Sequence, residues 1–318
     1  MTILHDLAFD CHYDQLSSYL NDQSSDRHHV DVRNKAGDTP LCVAAHVGCD
    51  KCVELLIKHG ASVSALNGND RTALHDASIS GSLETVKLLL NLGADPNATT
   101  INGRTPLHWA CYNGEQKIAK HLIKTGADIN SRDYQNNIPL HDASVAGHVY
   151  TVKLLVGNGA DIEWADNRGD SALDLSVYGG HFDVAEFLIS KGSDAAVGNS
   201  IFWASSRGNN KLVKLLIKQG ADVNARGNEL ESPLHWAVTL GYHDIAKILI
   251  QHGADVNARG IMRATPLHIA ASKGDSKLVS LLLDAGADRS LKTVIGESPI
   301  DSAEESDRSD TTAKLLAA

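Results

Sequence analysis

Thr105-Pro106-Leu107-His108, with Gly114 six residues on and Gly126-Ala127-Asp128 beyond it, is the stretch whose reading decides the fold. The Thr105 hydroxyl can cap free backbone donors, and proline at the first helical position loses no hydrogen bond that a helix needs. A short helix is therefore expected to start here. Gly114 ends it, because a left-handed glycine lets the chain reverse without a side-chain clash. A second, antiparallel helix then runs to Gly126, and the Asp/Asn/Gly-rich segment that follows is turn chemistry for a protruding hairpin.

The same punctuation recurs along the chain. Related tetrapeptides stand at Thr39-Pro40-Leu41-Cys42, Thr72-Ala73-Leu74-His75, Ile138-Pro139-Leu140-His141, Ser171-Ala172-Leu173-Asp174, Ser232-Pro233-Leu234-His235, Thr265-Pro266-Leu267-His268 and Ser298-Pro299-Ile300-Asp301. Leu41, Leu74, Leu107, Leu140 and Leu173 are each 33 residues apart, as are Leu234, Leu267 and Ile300. The second helices carry apolar residues at i, i+3 and i+4, as in Val86, Leu89 and Leu90 or Val213, Leu216 and Ile217, which makes one buried stripe.

Over essentially its whole length the chain resembles the ankyrin-repeat family. The resemblance implies an all-α fold, an ankyrin-repeat solenoid of helix-turn-helix units with protruding β-hairpin loops. It predicts one array over 1–318, with an irregular N-terminal capping repeat at 1–30, eight repeats over 31–295 and a C-terminal capping repeat at 296–318. One helix pair cannot bury its stripe alone, so stacking supplies the core and the end units turn polar faces outward. Asp301, Glu304, Glu305, Asp307 and Asp310 suit that capping role. The resemblance also reads the tetrapeptide histidine as structural, tying adjacent repeats by hydrogen bonds.

The period breaks once. Leu173 and Ile201 are 28 residues apart, five short, and the loss falls near 193–200, where the hairpin is expected to be truncated. Its remnant, Ser193 to Ser200 with Val197 inside it, has no Thr-Pro, and Phe202 holds the usual histidine position. A tolerated loop deletion and a notch admitting a partner chain are both open. Glu163-Trp164 is a second anomaly, because other periods have Asn-Ala or Asn-Ser there. Trp164 either packs on a neighbouring hairpin or anchors a partner.

Composition limits the function classes. At 42% hydrophobic and 21% charged, with no run of roughly 20 apolar residues, the chain reads as soluble and without a membrane role. The net charge of −10 repels phosphate backbones, so no nucleic-acid partner is expected and a neutral or basic protein is favoured. Residues 1–20 lack a basic segment leading into an apolar run, so no signal peptide is expected. Five cysteines, Cys11, Cys42, Cys49, Cys52 and Cys111, are an odd number crowded into the first third, unlike a disulfide framework. A monomer in the cytosol or nucleus is expected.

Chemistry of its own is not expected. Cys42, His46, Cys49 and Cys52 are close in sequence, yet the second pair of clustered ligands that structural zinc requires is missing, so no metal and no cofactor are predicted. His75-Asp76 with Ser78, and His141-Asp142 with Ser144, sit on one short helix each, read as exposed, and do not converge as a triad must. The glycines recur at helix ends rather than after a lone strand, which does not support a phosphate loop. The chain is read as a non-enzyme.

Positions that vary between periods mark the reading face. Besides tips such as Asn228, Glu229, Ile261 and Met262, the residues expected to bind a partner are Arg104, Trp109, Tyr112, Asn113, Tyr134, Asn137, Val145, Trp164, Arg168, Tyr178, Trp203, Arg207 and Trp236. Aromatics and arginines dominate interface energetics, and they gather from Arg104 to Arg207. The resemblance further implies possible hydroxylation of Asn97, Asn130, Asn224 and Asn257, each with a leucine eight residues earlier. The expected function is a scaffold that recruits or masks a partner protein through its concave groove. The rival is a substrate-recognition adaptor of a larger complex such as a ubiquitin ligase. Such adaptors usually append a short helical box, whereas this chain ends at Ala318 inside its capping unit.

Overall fold

The computed structural model describes residues 3–22, 30–196, 198–226, 230–306 and 308–317. Val197, Asn228, Glu229 and Asp307 lie outside the described residues. Two compact units are present, 1–172 and 173–318, and each is a stack of helix pairs.

The first unit runs α1 (Ile3–Phe9), α2 (Tyr13–Asn21), α3 (Pro40–Val47), α4 (Asp50–Lys58), α5 (Ala73–Ser80), α6 (Leu83–Asn91), α7 (Pro106–Tyr112), α8 (Gln116–Lys124), α9 (Pro139–Val145) and α10 (Val149–Gly157). The second runs α11 (Ala172–Gly179), α12 (Phe182–Ser190), α13 (Ser200–Ser206), α14 (Asn210–Lys218), α15 (Pro233–Thr239), α16 (His243–Gln251), α17 (Pro266–Lys273), α18 (Ser276–Asp284), α19 (Pro299–Glu305) and α20 (Ser309–Ala317). None is long and apolar enough to cross a membrane.

Each first helix starts as the tetrapeptide demands. His75 Nδ1 accepts the Thr72 backbone N–H at 3.1 Å, and His108 does the same for Thr105 at 3.1 Å. That leaves the proton on Nε2. Nε2 reaches into the next repeat, His75 to the Arg104 carbonyl at 3.1 Å and His108 to the Asn137 carbonyl at 3.2 Å. His235 and His268 repeat the tie to Ala264 and Glu297, and His5 brings the first repeat into the scheme through the Asp38 carbonyl. The histidine expected to tie repeats together does so at His75, His108, His235 and His268, whereas His141 caps its own helix through Nδ1 and its buried Nε2 has no hydrogen-bond partner.

Leu74, Leu89, Leu107, Leu122, Leu140 and Leu155 have no exposed side-chain surface and form the spine of the first unit. Each contributes roughly 1.5–3 kcal/mol of apolar burial. Leu173, Leu188, Leu216, Leu234, Leu249, Leu267 and Leu282 do the same in the second.

The loops differ from the β-hairpins expected. Among the described residues the only β pairing is an isolated bridge between Ala165 and Ser171. The reversals are tight and span only five residues, as in Thr100 N–H to the Arg104 carbonyl at 2.9 Å with Gly103 N–H back to the Thr100 carbonyl at 2.8 Å, and Asp133 N–H to the Asn137 carbonyl at 2.9 Å with Asn136 N–H back to the Asp133 carbonyl at 2.9 Å. So short a tip leaves no room for a ladder. Successive tips are joined instead, Tyr134 N–H to the Asn102 carbonyl at 3.0 Å and Val294 N–H to the Met262 carbonyl at 2.9 Å.

The shortened segment is visible in the second unit. The turn at Asp194–Ala196 precedes α13 by only a few residues, and the Asn199 N–H donates to Asp174 Oδ1 at 2.7 Å. Asp174 stands where other repeats have the tying histidine. An acceptor there suits a shortened loop, because the group that comes within reach is now a backbone donor rather than a carbonyl.

Two expectations need correction. Cys11 and Cys49 form a disulfide with Cα atoms 5.7 Å apart, because both occupy the turn between the two helices of adjacent repeats. Stacking brings those turns together although 38 residues separate them, so two of the five cysteines pair where no disulfide was expected. His75, Asp76 and Ser78, and likewise His141, Asp142 and Ser144, are buried rather than exposed, because each first helix is packed between its neighbours. Their partners are backbone groups and arginines: His75 bonds the Arg104 carbonyl, and Arg71 Nε lies 3.1 Å from Asp76. No nucleophile–base pair results.

Candidate partner-binding faces

Arg104 is the best-fixed candidate in the first unit. Its carbonyl accepts from His75, its N–H meets Thr100 Oγ1 at 3.2 Å, and its guanidinium lies 2.6 Å from Asp142. The same guanidinium stacks over Trp109 at 4.7 Å and approaches Tyr112 at 5.9 Å. Cation–π contact and ion pairing together hold it in one orientation. Burial lifts Asp142 to about 7 in spite of the Arg104 charge beside it, so desolvation outweighs the attraction.

The tyrosines differ from their surroundings by being open. Tyr112 is 47% exposed and Tyr134, at a loop tip, is 70% exposed. Tyr134 lies across Gly103, where an added Cβ would come within 2.8 Å of the ring and where φ is +77°. Gly103→Ala is therefore expected to cost about 1–2 kcal/mol through backbone strain and to push the Tyr134 ring aside. Urea melts read the first effect, and iodide quenching of tyrosine fluorescence reads the second. Unchanged stability would remove the strain argument.

Other candidates in this unit turn inward. Asn113 donates to the Ile79 carbonyl of the preceding repeat at 3.1 Å, and Asn137 spends its amide on Asp133 and its carbonyl on His108. Val145 is half-buried. Trp164 Nε1 donates to the Asn136 carbonyl at 2.9 Å, and the Arg132 guanidinium covers the ring at 3.6 Å. Trp164 packs on the neighbouring loop, the first of its two open readings. Arg168 is exposed but leans on Asp166 at 3.1 Å and Asp170 at 3.6 Å.

In the second unit the aromatics form one cluster. Tyr178, 44% exposed, meets Trp203 edge-on at 4.8 Å, Trp203 meets Phe202 at 4.9 Å, and Phe202 meets Trp236 at 5.7 Å. Arg207 lies over Tyr178 at 5.7 Å and also donates to its carbonyl. The indole nitrogens of Trp109, Trp203 and Trp236 are buried with no hydrogen-bond partner. These three rings are thus mainly packing groups, and Tyr178 and Arg207 are what the cluster shows to solvent.

With the helix pairs and both faces in view, comparison with known families decides the class. A model described as ankyrin repeats in three copies matches residues 4–100 and 197–260, a single-repeat model matches 102–134, and many-copy models match 140–189 and 249–303. The chain belongs to the ankyrin-repeat family. A search of curated proteins returns no match. Ankyrin repeats are generic protein–protein interaction modules, typically without enzymatic activity.

Set against the repeat frame, several residues escaped sequence reading. Phe202, in the histidine position, is the link that joins Trp203 to Trp236. Arg132 and Asp142 fix Trp164 and Arg104. The late loop tips expose Ile261, Met262, Val294 and Ile295 at 49–67%, and Met262 and Arg263 both have left-handed backbones, φ 54° and 60°. Ile261 and Met262 are among the expected tips, and Val294 and Ile295 stand 33 residues after them at the same two tip positions, which is the signal that could have found the second pair.

The four asparagines of the hydroxylation reading are clamped. Asn97 Oδ1 accepts the Asp128 N–H at 2.8 Å while its Nδ2 donates to the Gly126 carbonyl at 3.0 Å. Asn224 and Asn257 make the same pair of bonds one repeat onward, and Asn130 accepts from Asp161.

Proposed function

We propose that the chain is a protein-binding scaffold without turnover, gripping a partner protein by the Arg104–Tyr112–Tyr134 face of the first unit and the Tyr178–Arg207 face of the second. The observation that carries this is the exposure of Tyr112, Tyr134 and Tyr178, 44–70%, with the Arg104 guanidinium beside Tyr112 and the Arg207 guanidinium beside Tyr178. Rigid amphipathic rings at low entropic cost are what interface hot spots use. The overall charge of −10 favours a neutral or basic partner and a monomer kept apart from its copies by repulsion.

Tyr112→Ala, Tyr134→Ala and Tyr178→Ala should each weaken partner binding by about 1–3 kcal/mol, with melting temperature unchanged. The measurement is crosslinked affinity purification from the native source followed by titration of the captured protein against each variant. Ligase subunits in the captured material would instead mark the adaptor role. Three variants that bind like the parent would place the contact elsewhere.

A further inference from the structure

Three sulfurs meet at the N-terminal end of the first unit, and the interaction faces use none of them. Cys11 lies exposed in the turn between α1 and α2, and its backbone is left-handed at φ 53°. Cys49 is the N-cap of α4, 4% exposed, with no side-chain capping bond of its own. Cys52 is in the first turn of the same helix and fully buried. Cys11 and Cys49 are bridged, Cys52 is a free thiol, and all three sulfurs lie within 4.8 Å of one another.

We propose that these sulfurs form a thiol–disulfide exchange site, in which Cys52 attacks the Cys49 sulfur and releases Cys11 as an exposed thiol open to modification by small-molecule disulfides. The Cys52 thiol gives its proton to solvent, the Cys49–Cys52 bond forms, and the Cys11–Cys49 bond breaks. The electron pair leaves on Cys11, which takes up a proton, so the exchange is an isomerisation with no net oxidation. A released Cys11 thiolate then attacks an external disulfide, forming a mixed disulfide and expelling one thiolate.

Direction follows from solvation. Attack on Cys49 expels the exposed Cys11, whose thiolate is stabilised by water, whereas attack on Cys11 would expel a buried Cys49 thiolate. Residues three apart on a helix share a face, which puts Cys52 on the Cys49 side of the bridge. Burial lifts the Cys52 thiol above its usual value, so the exchange is slow. Its consequence is local: the covalent tie between the first and second repeats is lost, while Leu4, Leu7 and Ala8 stay packed.

The test uses the full chain purified without reductant and incubated with N-ethylmaleimide, followed by acid quench and non-reducing tryptic mass mapping. Cleavage after Lys51 separates Cys49 from Cys52, so their bridge appears as a linked peptide pair. Labelled Cys11 and the Cys49–Cys52 pair should accumulate together over hours. Cys52→Ser, with Cys52→Ala as a second variant checked for helicity, should slow Cys11 labelling at least tenfold and keep the Cys11–Cys49 pair. Labelling of Cys11 at the parent rate in both variants, no Cys11 labelling in the parent, or a protein isolated with Cys11 and Cys49 both free would each overturn the proposal.

Discussion

Replacing Asp76 and Asp142 together with asparagine should make the protein lose about 4 kcal/mol more than the parent loses between pH 6 and pH 4, about 2 kcal/mol for each carboxyl removed. Buried histidines supply the destabilising side. Burial holds His75 and His108 at about 4, against an ordinary 6.5. Below 6.5 the unfolded chain takes up protons that the folded chain refuses, so their contribution is intact above 6.5 and lost as the pH falls toward 4. Asp76 and Asp142 act in the opposite sense. Burial raises them from 3.8 to about 6 and about 7, outweighing Arg71 and Arg104. The folded chain then holds protons that the unfolded chain lacks, so their contribution grows as the pH falls through the same window. In the parent the two carboxyls offset part of the histidine loss, to which His141, His235 and His268, also lowered by burial, add. Asparagine mimics the protonated carboxyl at every pH and removes the offset. Urea melts at pH 6 and pH 4 measure it, and parallel losses in parent and variant would show that both carboxyls are ionised when folded.

Leu107→Ala should destabilise the first unit by about 3–5 kcal/mol, the upper part of the range for emptying a buried leucine site. Leu107 has no exposed surface, and α7, which carries it, packs on both α5 and α9 of the adjacent repeats. The repeats here leave little freedom to collapse into the void, since the His108 tie and the Arg104–Asp142 pair hold the neighbouring loops in place. In a stack whose stability is a sum of nearest-neighbour terms, a central defect weakens two interfaces at once. Leu315→Ala, equally buried but on the last helix α20, weakens one interface and should cost about 2 kcal/mol less. Equilibrium urea unfolding followed by far-UV circular dichroism reads both, and equal losses at the two sites would contradict the nearest-neighbour account.

The repeat frame was legible because its determinants are local: a capping hydroxyl, a proline and a glycine within one helix. The tying histidine was legible for the same reason. What resisted reading depends on contacts about one period away. Asn113 looks like a variable tip residue, yet it bonds the carbonyl of Ile79, 34 residues back. Trp164 reads equally as anchor or filler until Arg132 is seen over its ring. The Cys11–Cys49 bridge needed the irregular first repeat to be aligned with the second, which would have put the two cysteines at neighbouring positions of equivalent turns. The burial of Asp76 and Asp142 was missed because a polar residue on a short helix reads as solvent-facing, while stacking on both sides encloses it.

The asparagine clamps have a chemical side effect. An asparagine ages when the following backbone nitrogen closes onto its side-chain carbon and ammonia leaves. With Asn97 and Asn224 each held at both amide atoms by the next repeat, that ring closure would first have to break two bonds. The clamp that keeps successive repeats in register thereby also shields these amides from slow conversion to aspartate, which would set a negative oxygen against the glycine carbonyl it now greets with a proton.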